Sequence, residues 1–118
     1  MTTAEQDVAA LARNQVTLTG RISSDPVERK LPSGDRVVSF RVVVPRERTA
    51  MTAKSKQASD WVDCAAWGGR VRRTCASWRV GDRVEVEGAL RRRFFRADGG
   101  AASRVEVEVL GGRCLERA

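Results

Sequence analysis

The chain has 118 residues, 42% of them hydrophobic, enough for one domain with one core. Its 22 lysines and arginines stand against 15 acids, and this formal charge of +7 suits nucleic acid, an acidic protein or an anionic surface as partner. No segment approaches the ~20 apolar residues of a membrane span, no basic-then-apolar leader opens the chain, and the lack of histidine and of any CxxC spacing argues against a structural zinc site.

Residues 1–13 are alanine-rich and are expected to form a flexible extension. Order is predicted to begin at Asn14. Val16, Leu18, Gly20 and Ile22 alternate with Thr17, Thr19 and Arg21, the pattern of a half-buried strand, and Gly20 marks a bulge or bend. Asp25-Pro26 interrupts it, and Pro32-Ser33-Gly34-Asp35 reads as a turn, because proline presets φ and glycine tolerates positive φ. Val37 to Val44 is the second strand, with Val38, Phe40, Val42 and Val44 on one face and Pro45 closing it. Residues 46–59 form a polar loop carrying Arg46, Arg48, Lys54 and Lys56, far longer than the ~2–5 residues of most hairpin connections.

The third strand, around Trp61 to Gly68, is the most informative stretch. Alternation puts Trp61, Asp63, Ala65 and Trp67 on one face and Val62, Cys64 and Ala66 on the other. The second set is the better core face, because an unpaired Asp63 is costly to bury. Both indoles are therefore expected to point outward from a cationic surface, where flat rings suit unpaired bases. The competing assignment packs them in the core or at a subunit interface.

After Gly68-Gly69, Val71, Cys75 and Trp78 fall at i, i+4 and i+7, which predicts a short amphipathic helix over 70–79 with Trp78 toward the core. Gly81-Asp82 ends this unit. A fourth strand runs from Arg83 to Phe95, with Val84, Val86, Gly88 and Leu90 inward and Arg91, Arg93 and Phe95 on the other parity. Asp98-Gly99-Gly100 is a hairpin turn. Val105, Val107 and Val109 then alternate with Arg104, Glu106 and Glu108 in a fifth strand, followed by Gly111-Gly112 and a short tail at 113–118. Three strands, a helix and two strands give an all-β fold, a five-stranded OB barrel with one short helix between strands 3 and 4, spanning 14–112. Glycines 20 and 88 supply the bends that so small a barrel needs.

Residues 14–59 and 68–100 each hold nine basic and four acidic side chains, consistent with a positive groove. Cys64 and Cys75 are expected to act as small buried hydrophobes, and a reducing cytoplasm fits the odd cysteine count.

On its ordered motifs the chain resembles the bacterial single-stranded DNA-binding proteins. The matching segments are Asn14 to Ile22, Asp25-Pro26, Pro32-Ser33-Gly34, Phe40-Arg41-Val42, Trp61 to Gly68 and Val80 to Leu90. The resemblance implies an OB fold assembled as a homotetramer, which wraps single-stranded DNA and protects it during replication, recombination or repair in the cytoplasm, associated with the nucleoid. It implies stacking positions at Trp61, Trp67 and Phe95, with Arg48 where the family often carries another aromatic. Arg21, Arg41, Lys54, Lys56, Arg91 and Arg93 are the candidate phosphate contacts beside them. No catalytic residue, metal or cofactor is implied. Family members typically continue into a linker and an acidic tip that recruits other enzymes, whereas this sequence stops at Ala118, so a short form without recruitment by that route is expected. Two other classes compete: an OB-fold nuclease using Asp60, Asp63, Glu85 and Glu87, and an RNA-binding or assembly module.

Overall fold

The computed structural model describes residues 11–118, so residues 1–10 of the expected N-terminal extension lie outside the described residues. Six strands and one helix follow in order: β1 (Val16–Ile22), β2 (Val27–Lys30), β3 (Arg36–Pro45), β4 (Ser59–Ala66), α1 (Gly69–Ala76), β5 (Arg83–Ala97) and β6 (Gly100–Glu116). Five of them close a barrel in the order β1-β5-β6-β4-β3, completed where Arg21 and Ile22 of β1 pair with Val43 and Val42 of β3. β4 and β6 run parallel through Cys64–Val107 and Ala65–Glu108, and the other pairings are antiparallel. This is the OB barrel that the element order predicts, with α1 between its third and fourth strands. Among the described residues no helix is long and apolar enough to cross a membrane.

Valines dominate the core for the reason alternation suggests. Val38, Phe40 and Val42 of β3, Cys64 and Ala66 of β4, Val84 and Val86 of β5, and Val107 and Val109 of β6 are all buried. Trp78 joins them at 1% exposure and meets Phe40 edge-on, with ring centroids 5.4 Å apart at 82°. Helix α1 ends at Ala76 instead of residue 79. The hydroxyl of Ser77 donates to the Thr74 carbonyl oxygen at 2.6 Å, and Trp78 N–H donates to the Cys75 carbonyl in a tightened last turn. Trp78 thus reaches the core from just beyond the helix.

Three further features depart from the sequence reading. Strand β2 lies outside the barrel on β3, with four exposed residues and no burial alternation to reveal it. Leu90 has the inward parity but is 50% exposed, because β5 and β6 run past the barrel as a two-stranded arm. Strand β6 passes through Gly111-Gly112 to Glu116, so residues 113–116, placed in a tail by the sequence, pair with Arg83–Glu85. A Cβ at Gly112 would stand 2.8 Å from the Trp78 ring, so glycine here makes room for the indole and does not stop the strand. The chain beyond β6 is tied down by buried Asp82, which accepts hydrogen bonds from Ala118 N–H at 2.9 Å, Arg79 N–H at 2.9 Å and the Arg117 guanidinium at 3.0 Å. Those backbone donors are the main reason its carboxyl titrates below the ordinary carboxylate value.

The two glycines expected at bends are sites of close backbone approach. A Cβ on Gly20 would lie 2.2 Å from the Val43 carbonyl oxygen where β1 meets β3, and one on Gly88 would lie 1.9 Å from that of Glu108. Asn14 extends the β1–β5 pairing with its amide, which donates to Leu90 O and accepts from Leu90 N–H, both at 2.8 Å.

Gly88→Ala is expected to lower stability by at least ~2 kcal/mol in urea unfolding, because the obstacle is backbone and cannot rotate away. The cysteines supply a second test. Burial pushes the thiols of Cys64 and Cys75 up to about 12, so both stay protonated and shielded at neutral pH, whereas Cys114 is only half-buried. At pH 8 the native protein should take up a thiol reagent at Cys114 alone, and the other two should react only on unfolding.

Candidate nucleic-acid interface

The face of β3, β4, β6 and β5 opposite the core carries the candidate site. Cross-strand register sets Arg41 opposite Asp63, and Glu106 opposite Arg91. The parallel β4–β6 pairing brings these two couples side by side. Beside them, Val43 faces Trp61 and Arg93 faces Arg104.

Trp61 is 57% exposed, as its parity predicts. The Arg41 guanidinium carbon lies 3.9 Å from the centroid of its ring while Arg41 Nε donates to Asp63 Oδ1 at 3.0 Å. That side of the indole is covered by the guanidinium. Phe95 is 41% exposed, with Arg104 5.6 Å from its ring centroid. Arg93 and Arg104 are directly opposed like charges, an unfavourable pairing by itself. Glu106 resolves it from between them, 3.3 Å from Arg93 Nε and 3.6 Å from Arg104 Nε, at only 5% exposure. Arg91 Nε donates to Glu108 Oε1 at 3.0 Å.

Two open grooves meet at Glu106. One, of about 350 Å³, is lined by Trp67, Arg91, Arg92, Arg93 and Glu108. The other, of about 430 Å³, is lined by Arg29, Arg41, Asp63, Arg104 and Ser39. Trp67 is half-buried and sits just past the end of β4. Ala65 shares the outward parity but is buried, a small side chain flanked by Ser39 on β3 and Glu108 on β6.

Trp61, Trp67, Phe95, Arg41, Arg91 and Arg93 therefore lie on one face. Arg48, Lys54 and Lys56 are exposed on the loop between β3 and β4. That loop is pinned at its base by Arg46, whose N–H donates to Ala58 O at 2.8 Å and whose guanidinium holds Asp60 at 2.9 Å. Arg21 is not brought to the shared face. Its guanidinium donates to Gly81 O at 2.9 Å and lies 3.6 Å from Glu116. Sequence reading passed over Arg104, Glu106 and Glu108. Their alternation with core valines gave their outward parity, but only the β4–β6 pairing brings them beside Trp61 and Asp63.

The acids weighed for a nuclease do not converge. Asp60 is held by Arg46, Asp63 by Arg41 and Glu85 by Arg113, and Glu87 stands exposed on β5. Among the described residues no group of three or more His, Cys, Asp or Glu is placed to hold a metal ion.

Residues 13–111 match the single-strand binding protein family. The chain belongs to that family. Its members are DNA-binding proteins without enzymatic activity, which removes the nuclease reading. Over 104 residues the chain is 29% identical to the single-stranded DNA-binding protein of Aquifex aeolicus, covering 88% of this chain and 71% of that protein. It is 28% identical over 82 residues to single-stranded DNA-binding protein A of Bacillus subtilis, covering 70% of this chain and 46% of that protein, so it spans about half of that relative's length. In fold it is similar to a chain from the Plasmodium falciparum SSB complex with ssDNA, with a TM-score of 0.70, 22% identity and coverage of 91% and 96% of the two chains.

The exposure contrast among the tryptophans is directly measurable. Trp61 should account for most of the emission quenched by iodide, drawn there by Arg41, and Trp61→Phe should remove that component. Trp78 should remain shielded until the protein unfolds.

Proposed function

We propose that this family member binds single-stranded DNA with little sequence preference, stacking bases on Trp61, Trp67 and Phe95 and placing phosphates against Arg41, Arg91 and Arg93. The observation that carries the reading is the exposed Trp61 ring, capped by Arg41, on the same sheet face as Phe95 and three further arginines. Every base has a π face, so such platforms bind unpaired strands without reading base identity, and a duplex hides the faces they need. Arg48, Lys54 and Lys56 extend the cationic surface along the loop beside β4. Arg21, engaged with Gly81 and Glu116, takes a lesser part. The relatives' names, single-stranded DNA-binding proteins, support the same ligand.

Coating and protecting exposed strands in the cytoplasm is the role this chemistry serves. A homotetramer fits the barrel as well. Val16–Thr19 of β1 pair with β5 on one edge, and among the described residues their other edge has no strand partner. An open edge of that kind favours pairing with a second copy.

The test is titration with oligo-deoxythymidine. Stacking is worth ~1–3 kcal/mol per base, so Trp61→Ala should weaken binding by about ten- to hundredfold. Trp67→Ala should weaken it less, because that ring is half-buried. Unchanged affinity in both variants would contradict the stacking mechanism, and equal affinity for duplex would contradict the choice of ligand.

A further inference from the structure

Three carboxylates share the grooves with the proposed DNA contacts, and each holds arginine. Asp63 and Glu108 are part-exposed and grip one arginine apiece, Arg41 and Arg91, each at 3.0 Å. Glu106 is different: it is buried and shared by Arg93 and Arg104. On a surface for a polyanion, acids are the wrong charge unless they serve the arginines. Bare, Arg41, Arg91, Arg93 and Arg104 would repel one another across the sheet. The carboxylates relieve that repulsion and fix each guanidinium in place.

The two kinds of acid differ in what release would cost. Stripping Glu106 of both partners would leave a buried charge uncompensated, so it keeps at least one arginine at all times. Asp63 and Glu108 are solvated, and their single ion pairs are weak in water. A phosphate that offers a guanidinium an equivalent acceptor can replace them, and the freed carboxylate returns to solvent.

We propose that Asp63 and Glu108 are exchange carboxylates: they hold Arg41 and Arg91 in the free protein and are displaced from them by the phosphates of a bound strand. The proposal rests on the single-stranded DNA reading above and adds what sets its strength and salt response. Each exchange exposes a carboxylate that takes up a cation, which offsets part of the gain from counterions leaving the DNA. Binding is then looser and less salt-sensitive than four arginines alone would make it. An isolated phosphate must compete with a tethered carboxylate at high effective concentration and loses. A strand held by neighbouring phosphates and stacked bases wins.

The experiment titrates oligo-deoxythymidine from about 50 to 200 mM salt against the wild type, Asp63→Asn, Glu108→Gln and the double variant. Each single substitution should tighten binding about two- to fivefold at low salt, the range expected of a part-exposed ion pair. Each should also steepen the plot of log affinity against log salt by up to ~0.7, the value of one phosphate, with the double variant showing the sum. Each pair is changed separately, so a folding defect at one position leaves the other informative. Weaker binding with an unaltered slope would mean that these acids only support the arginines, and it overturns the proposal. Wild-type protein that fails to bind at any salt overturns the single-stranded DNA reading, and this inference with it. Wild-type binding with the same slope in the double variant overturns the exchange alone.

Discussion

The short parallel contact between β4 and β6 is the joint on which the molecule turns. Only Cys64–Val107 and Ala65–Glu108 pair across it, yet it joins the β3–β4 hairpin to the β5–β6 hairpin and so helps to close the barrel. On the inner side it packs Cys64 and Val107 into one core. On the outer side it sets Asp63 and Trp61 beside Glu106 and Arg104. One contact thus builds the hydrophobic interior and the charged platform together, and the period-two geometry of strands makes the two inseparable.

The barrel tolerates this because two glycines let neighbouring backbones come close. Gly20 sits where β1 leaves β5 and reaches β3, and Gly88 sits where β5 passes the Glu108 carbonyl of β6. The register shift beside Gly88 leaves Leu110 without an opposite residue, and β5 and β6 continue beyond the barrel as an arm. That arm carries Phe95 and three of the four arginines of the face. Extension past the core is what exposes Leu90 and Phe94 on its other side.

Electrostatically, the face is less positive than the composition suggests. A charge of +7 reads as a field of free cations, but Arg41, Arg91, Arg93 and Arg104 are each engaged by a carboxylate. Pairing holds a flexible guanidinium in one orientation, which lowers the entropy lost when a ligand arrives. It also sets an intrinsic competitor at each contact. Under the proposed exchange, affinity on such a surface depends on competition between acceptors as well as on total charge.

The local pattern of the chain was enough to determine which side of each long strand meets the core, where the turns fall and that Trp61 faces out. Alternation of Val38, Phe40 and Val42, the Pro32-Ser33-Gly34-Asp35 turn and the Asp98-Gly99-Gly100 turn are properties of neighbours, and they held in the fold. The likeness to a family supplied Phe95 as a stacking position, and the register agrees with its parity. Only the tertiary structure decided which arginine meets which acid, that Glu106 is buried, that Ala65 is sheltered, and that Arg21 is drawn to Gly81 and Glu116. It also revealed β2, whose exposed residues carry no alternation, and carried β6 through glycines that make room for Trp78. The reason is distance along the chain. A strand's faces follow from adjacent residues, but its partners lie at separations that range up to the 72 residues between Val16 and Gly88, and they are chosen by how the whole barrel closes.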